Sequence, residues 1–318
     1  MSRTALRNFH DFEPAQEDFR SSVLNGLSKP QKTIASKFFY DANGSALFDQ
    51  ICDLPEYYPT RTELYLLQEH SEEIAGHLGT SNHLIEFGSG SSVKISTLLN
   101  ALHAPLSYVP MDISKSHLLS SAKRLSQSFP DLPIIPICAD YTTNFDFPDI
   151  GHGKRTGFFP GSTIGNFTPD EACSFLIQAR SLLQGGGMLI GVDLLKEETI
   201  LNAAYNDAPG VTADFNKNLL LRCNSELSAN FNLDHFHHSA FLNKRESRIE
   251  MHLVSAIDQL VRIDDHSFIF AEGESIHTEN SYKYTPEDFQ SLAVKAGFKP
   301  EKTWIDKNNL FSIHYLAA

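Results

Sequence analysis

Short apolar runs alternate with segments of helical periodicity through the middle of the chain. Residues 83–87 form a short apolar run typical of a buried strand, and Ile95, Leu98, Leu99 and Leu102 then recur at the spacing of an amphipathic helix. Further apolar runs predict strands at 108–112, 134–139 and 188–193. The segment 157–167 also begins as a strand and then continues into a loop. This alternation predicts an α/β fold with a parallel central sheet.

The alternation stops near residue 195. A different pattern follows and continues to about residue 286. The intervening segment predicts a helix and two strands, at 215–227, 248–254 and 268–271. Two last apolar runs face each other across a polar turn and predict an antiparallel pair, at 302–305 and 310–316. Five βα units followed by such a pair are the usual arrangement of a class I methyltransferase (Rossmann-like) sheet, here with an inserted α+β substrate-binding domain.

We therefore predict two domains. Residues 62–194 and 286–318 would form the sheet domain that binds the cofactor, and residues 1–61 and 195–285 would form a substrate-binding domain that acts as a lid. A single helix is expected from about residue 61 to residue 78, and Ser114 is expected to cap the helix that follows the second strand.

A glycine turn follows the first strand of the sheet. Gly88 and Gly90 let the backbone bend and let a ligand lie against the main chain, but Val93 stands where a dinucleotide motif needs its third glycine. Asp112 closes the next strand, where a carboxylate can bind two ribose hydroxyls, and Asp140 with Tyr141 closes the third. This series fits an adenosyl group without phosphates, namely S-adenosylmethionine; an α/β fold with incidental glycines is the alternative.

The net charge bears on the class of partner, and the cysteine spacing bears on the redox compartment. A formal charge of -13 disfavours nucleic acid and anionic membranes as partners, and a cationic or zwitterionic small molecule fits better. The four cysteines show no paired spacing, which indicates reduced thiols and a cytoplasmic protein, and no stretch has the length of a membrane span. We expect a monomer.

The sequence disfavours two other chemistries, a metal site and a hydrolase. His235, His237, His238 and His252 match no usual metal-ligand spacing, so we expect no metal. Ser89 lacks the context of a nucleophilic serine, which argues against a hydrolase. Tyr40, Phe48, Tyr57 and Tyr58 cluster among turn residues and indicate either a pocket wall or core aromatics, and Asn166 precedes a helix as either a ligand or a loop cap.

Several longer motifs carry a resemblance that covers the chain from about residue 36 to its end. They read Phe-Tyr-Asp-Ala-x-Gly-Ser at 39–45, Leu-Pro-Glu-Tyr-Tyr-Pro-Thr-Arg-Thr-Glu at 54–63, Phe-Gly-Ser-Gly-Ser-Ser-x-Lys at 87–94, Gly-Ser-Thr-Ile-Gly-Asn at 161–166, Ala-Tyr-Asn-Asp-Ala-x-Gly-Val-Thr-Ala-x-Phe-Asn at 204–216 and Thr-Glu-Asn-Ser-Tyr-Lys at 278–283. In these motifs the chain resembles the histidine Nα-methyltransferases of ergothioneine biosynthesis, whose fungal relatives act on tryptophan derivatives.

The resemblance implies roles for individual residues. It implies that S-adenosylmethionine is held by Gly88, Gly90, Ser91, Lys94, Asp112, Asp140 and Tyr141. It implies that the amino acid is held by Tyr40, Phe48, Tyr57, Gly161, Thr163, Asn166, Tyr205, Met251, Glu279 and Ser281, with Glu279 and Ser281 on the imidazole. The implied reaction is transfer of up to three methyl groups to the α-amine of histidine to give hercynine, with Tyr57 or a water as a candidate proton acceptor.

Three alternatives stay open on the sequence. Another amino acid, such as tryptophan or a derivative, is the main rival as acceptor. A nicotinamide oxidoreductase is disfavoured by Val93, and a regulator that binds the adenosyl group without catalysis would need a damaged amine site.

Overall fold

The structure is a computed structural model that describes residues 9–13, 18–90, 92–143 and 145–318. Its α-helices are α1 Phe19–Leu27, α2 Ala42–Asp53, α3 Tyr58–Glu69, α4 Ser71–Leu78, α5 Ser92–Ala101, α6 Lys115–Ser128, α7 Pro169–Leu183, α8 Glu198–Tyr205, α9 Val211–Glu226 and α10 Pro286–Lys295. Short 3-10 helices lie at Ser36–Phe39, Thr163–Asn166 and Leu233–His235.

The strands form three sheets. They are β1 His10–Asp11, β2 Lys32–Thr33, β3 Asn82–Phe87, β4 Ser107–Asp112, β5 Ile137–Cys138, β6 Lys154–Phe159, β7 Gly187–Asp193, β8 Phe236–Asn243, β9 Arg248–Ser255, β10 Gln259–Ile263, β11 His266–Phe270, β12 Ser275–Tyr282, β13 Lys299–Ile305 and β14 Phe311–Ala317. Within the described ranges, no helix combines the length and the apolar character needed to cross a bilayer.

The chain divides into two compact units. The core unit comprises Met1–Ala15, Arg61–Leu194 and Tyr284–Ala318, and the insert unit comprises Gln16–Thr60 and Leu195–Lys283. These boundaries lie within two residues of the predicted ones except at the N-terminus. The prediction places residues 1–61 in the lid. In the structure, β1 at His10–Asp11 instead pairs in parallel with β5 of the large sheet.

The core unit contains an eight-stranded sheet in the order β1-β5-β4-β3-β6-β7-β14-β13. Strands β3 to β7 run parallel, and β14 inserts antiparallel between β7 and β13. Residues of β3 and β7 are buried throughout, as expected for central strands covered on both faces. The class I methyltransferase sheet expected from the sequence is therefore present, with β1 as an additional edge strand.

Two local expectations differ from the structure. The helix predicted over 61–78 is broken at His70, whose ψ of 18° leaves the helical region, and Glu72 and Glu73 then occupy the favourable first turn of α4. The predicted third strand shrinks to β5, because Pro133 and Pro136 have no N–H to donate to a ladder.

The insert unit is built on a four-stranded sheet in the order β2-β12-β9-β8, with β10 and β11 as a separate hairpin. The pairing of β12 with β9 shifts between His277 and Glu279, so that Thr278 is an extra residue. Glu279 consequently lies opposite Met251, whereas His277 lies opposite His252. Because successive side chains alternate, this bulge places Glu279 and His277 on opposite faces although they are two residues apart.

A buried ion pair joins several elements of the core unit. Glu63 of α3 is 1 % exposed, and its Oε2 lies 2.6 Å from Nζ of Lys94 on α5. Both carboxylate oxygens also accept from the N–H of Gly161, at 3.0 and 2.9 Å, in the loop after β6. Gly191 of β7 must lack a side chain, since a Cβ there would lie 2.1 Å from Glu63 Oε1. One carboxylate thus fixes the loop that leads to Asn166.

We expect Glu63→Gln to lower the free energy of unfolding by about 3 kcal/mol, because the amide leaves the buried Lys94 ammonium without a counter-charge. Urea denaturation measures the loss. Glu69→Gln on the exposed part of the same helix is the control and should change stability by less than about 0.5 kcal/mol. Equal stabilities of the two variants would contradict the assigned role of Glu63.

Candidate functional site

The glycine turn after β3 has the backbone that a ligand against the main chain requires. Gly88 has φ of +78°, which a residue with a Cβ rarely adopts. A Cβ at Gly88 would also lie 3.3 Å from the hydroxyl oxygen of Tyr141, whereas one at Gly90 would meet open space. The Ser89 hydroxyl is buried and has no hydrogen-bond partner within the described ranges. These features fit an adenosyl group, and Ser91 lies outside the described residues.

Of the two aspartates expected at the adenosyl group, Asp112 ends β4 as predicted, whereas Asp140 lies two residues beyond the end of β5. Asp112 Oδ1 accepts from the N–H of Ser114 at 2.8 Å, and burial raises the pKa of Asp112. Asp140 Oδ1 accepts from the N–H and the hydroxyl of Thr142, at 2.9 and 2.6 Å. Ser114 occupies the predicted N-cap position of α6, but its side chain makes no capping hydrogen bond, and its N–H instead helps to hold Asp112.

Tyr141 lies in an aromatic cluster beside the glycine turn. Its ring contacts those of Phe87, Phe159 and Phe175 with centroids 5.8 to 6.1 Å apart. Burial raises the pKa of Tyr141, so its hydroxyl stays protonated and can donate near Gly88.

Glu86 lies on β3, two residues before Gly88 of the glycine turn. Its carboxyl accepts a hydrogen bond from the hydroxyl of Tyr108 on β4, and burial raises its pKa to about 8 despite that bond. A cavity of about 10 Å³, roughly one water, lies beside it and is also lined by Ser89 and Gly90. At neutral pH Glu86 is therefore mainly a neutral, hydrogen-bonded acid.

Lys94 and the loop after β6 carry the remaining candidate site residues of the core unit. The Lys94 ammonium lies 3.4 Å from the position of a Cβ on Gly161, and its partner Glu63 was not foreseen as a site residue. Thr163 Oγ1 donates to the carbonyl of Pro160 at 3.0 Å. Asn166 is half-buried at the end of the 3-10 helix, just before the capping box of Thr168 and Glu171.

The insert unit brings together the aromatic residues expected at the substrate. Ring centroids are 5.7 Å apart for Tyr40 and Phe48, 6.2 Å for Phe48 and Tyr57, and 6.4 Å for Tyr57 and Tyr205. Phe215 contacts both Tyr40 and Phe48 and was missed, although it lies in one of the motifs that carry the resemblance. Tyr40 is 47 % exposed, so the rings form a wall rather than a closed core.

Tyr57 is poorly suited to act as a base. Burial raises its pKa well above that of a free phenol, and the nearby Tyr205 and Glu279 raise it further. The phenolate is therefore not available near neutral pH. The hydroxyl can still donate to or accept from an amine.

Glu279, Ser281 and Met251 share one face of the insert sheet. Ser281 Oγ accepts from the hydroxyl of Tyr205 at 2.8 Å and from Nζ of Lys283 at 2.6 Å. Burial raises the pKa of Glu279 to about 7, and the Lys283 ammonium opposes that rise. Lys283 was missed, although its position two residues after Ser281 was a signal for the same face.

A Glu-His-His grouping lies on the opposite face. Glu250, His252 and His277 bring ligand atoms within 4.8 Å of one another, the one such group in the described part of the chain. However, Glu250 Oε1 accepts from Arg248 at 2.6 Å and from Asn243 at 2.9 Å, and the two imidazole rings stack with planes 11° apart. Burial opposes ionisation of Glu250, but hydrogen bonds from Asn243, Arg248 and His252 lower its pKa to about 2. A committed carboxylate and parallel rings do not suit a shared metal ion.

Sequence comparisons bear on the whole chain. Residues 19–318 match the family of histidine-specific, S-adenosylmethionine-dependent methyltransferases. The chain is 40 % identical to a histidine N-alpha-methyltransferase of Mycolicibacterium smegmatis over 97 % of its own length and 98 % of the relative's. It is 38 % identical to the enzyme of the same name from Mycobacterium tuberculosis, over 99 % of both chains. A 4-dimethylallyltryptophan N-methyltransferase of Epichloe festucae is 26 % identical over 90 % of each chain.

The glycine turn after β3, the class I methyltransferase sheet and the match over residues 19–318 all indicate the same family. The protein belongs to the family of histidine-specific methyltransferases that use S-adenosylmethionine as the methyl donor.

Proposed function

We propose that the protein methylates the α-amine of L-histidine, in up to three successive transfers that give the trimethylated product hercynine. The observation that carries the choice of histidine is the placement of Glu279 and Ser281 on one face of β12. Two relatives at 38 and 40 % identity, both named histidine N-alpha-methyltransferase, support the same acceptor.

The donor is assigned to the core unit. Gly88 and Gly90 would let the adenosyl group lie against the turn, Asp112 would accept from ribose hydroxyls, and Asp140 with Tyr141 would contact the adenine. Lys94 would act at this site through its ion pair with Glu63, whose carboxylate also accepts from the N–H of Gly161. When bound, S-adenosylmethionine supplies an electrophilic sulfonium methyl group.

The imidazole is assigned to β12. A neutral imidazole has one N–H donor and one lone pair, so it needs an acceptor and a donor at the edges of the ring. The Glu279 carboxylate supplies the acceptor and the Ser281 hydroxyl supplies the donor. Met251, directly opposite Glu279, together with the aromatic wall would cover the flat faces of the ring.

Within the insert unit, the α-amine is assigned to Tyr57 and Tyr205. Since the pKa of Tyr57 is raised, we infer that its hydroxyl orients the amine and does not remove the proton. The amine then reacts in its neutral form, and the proton leaves to water. Catalysis would rest mainly on alignment, which can lower a barrier by about 7 kcal/mol in favourable cases.

A tryptophan derivative remains the second candidate acceptor, because one 26 % identical relative is named for such a substrate. An indole offers one donor and no lone pair in the ring plane, and has a larger apolar area. Burying it against Glu279 and Ser281 would leave polar groups without partners, at a cost of about 1–3 kcal/mol for each group.

Mass spectrometry tests the proposed function. Histidine incubated with the protein and S-adenosylmethionine should show gains of one, two and three methyl groups, and tryptophan under the same conditions should show none. Methylation of tryptophan with histidine unchanged would replace the proposal with its alternative.

Glu279→Gln should lower kcat/KM for histidine by about ten- to a hundredfold, since a charge-assisted hydrogen bond to the ring is lost. Calorimetric affinity for S-adenosylmethionine should not change. Glu274→Gln, which removes a carboxylate paired with Lys32 at the other end of β12, is the matched control and should retain histidine turnover. Equal losses in both variants would show a general effect on the sheet.

Tyr57→Phe should lower kcat/KM by about tenfold, because one hydrogen bond to the amine is removed. The rate should still rise with pH, and the apparent pKa of that rise should match the wild-type value, because the raised pKa of Tyr57 keeps it from titrating there. Tyr65→Phe, at an exposed tyrosine, serves as control. A shifted or missing pH limb in Tyr57→Phe would restore the role of Tyr57 as a base.

A further inference from the structure

Lys283 is a buried cation beside the residues assigned to the imidazole. It is 3 % exposed and follows directly after β12. Its Nζ donates to Ser281 Oγ at 2.6 Å and to the Tyr205 hydroxyl oxygen at 3.1 Å. Tyr205 and Ser281 are themselves 2.8 Å apart, so the three polar groups form a closed triangle.

The triangle fixes where one proton points. An ammonium can only donate, so both hydroxyl oxygens must accept from Lys283. Between the two hydroxyls only one proton fits, and the tyrosine, as the stronger acid, donates it to the serine. Ser281 Oγ then accepts two hydrogen bonds, and its own proton must point out of the triangle toward another acceptor.

We propose that Lys283 is a positioning residue that sets the ring specificity of the acceptor site, by holding the Ser281 hydroxyl as an obligatory donor to the lone pair of a neutral azole. The inference deepens the proposed function and rests on it. A ring without an in-plane lone pair leaves the Ser281 proton unpaired, and a cationic ring meets both that proton and the Lys283 charge.

The charge of Lys283 also supports the other edge of the ring. Burial raises the pKa of Glu279 to about 7, and the Lys283 ammonium works against that rise. Tyr57 lies near the same carboxylate, and burial raises the pKa of Tyr57 well above that of a free phenol, so Tyr57 stays protonated. The site thus combines a carboxylate acceptor with a serine donor, the pair that matches a neutral imidazole.

The test compares L-histidine with L-β-(2-thienyl)alanine, whose five-membered ring has no nitrogen. In Lys283→Met, the ratio of kcat/KM for histidine to that for thienylalanine should fall by about ten- to a hundredfold. Ser281→Ala should lower the ratio similarly, and the loss in the double variant should be clearly smaller than the product of the two single losses, because Lys283 acts mainly through Ser281 and only secondarily through the charge of Glu279. An unchanged ratio in Lys283→Met, or additive losses in the double variant, would overturn the inference.

The controls separate this inference from folding and from the proposed function. Lys32→Met removes a lysine from the same sheet, where it pairs with Glu274, and should leave the ratio unchanged. If Lys283→Met does not fold, Lys283→Gln replaces it: its carbonyl can receive the serine proton, so the ratio should still fall, and a wild-type ratio counts against the inference. If wild-type protein does not methylate histidine, the proposed function itself fails.

Discussion

A one-residue bulge in β12 decides which side chains share a face of the insert sheet with Glu279, the residue assigned to the acceptor. Strand side chains alternate, so a shift of one position exchanges the two faces. Thr278 is the extra residue, and its hydroxyl donates to Asn216 at 2.7 Å and to the carbonyl of Met251 at 3.0 Å, which anchors the bulge. Before it, His277 shares a face with His252; after it, Glu279 and Ser281 share a face with Met251. Without the bulge, the carboxylate would lie among the histidines.

Three buried or half-buried glutamates differ in charge state and role because their hydrogen-bond and ion-pair partners differ. Glu63 has a lysine 2.6 Å away and serves as a fixed anion that orders a loop. Glu86 has a tyrosine hydroxyl as partner, and its pKa of about 8 makes it a mainly neutral structural acid. Glu279 has a pKa of about 7 and a lysine only at longer range, so its charge responds most readily to what binds next to it. The glutamate with the least committed carboxyl is the one assigned to the substrate.

The sequence was sufficient for the parallel sheet, its antiparallel end and the glycine turn, because buried strands and capped helices are local patterns. It failed where distant partners decide. The two-residue strand β1 is defined by its pairing with β5, which is distant from it along the chain. Glu63 and Lys283 were overlooked because a charged residue reads as exposed until its partners are known. The prolines at 133 and 136 did contain the signal that shortens β5.

The division of labour in the acceptor site follows from what each group can discriminate. The rings of Tyr40, Phe48 and Phe215 offer flat apolar surface, which accepts imidazole, thiophene or indole with modest differences in free energy. Polar groups that must be paired discriminate more strongly, since a ligand that leaves one unpaired loses its desolvation energy without return. We expect the choice of acceptor to reside in the few polar side chains on the Glu279 face of β12 and in the cation that orients them.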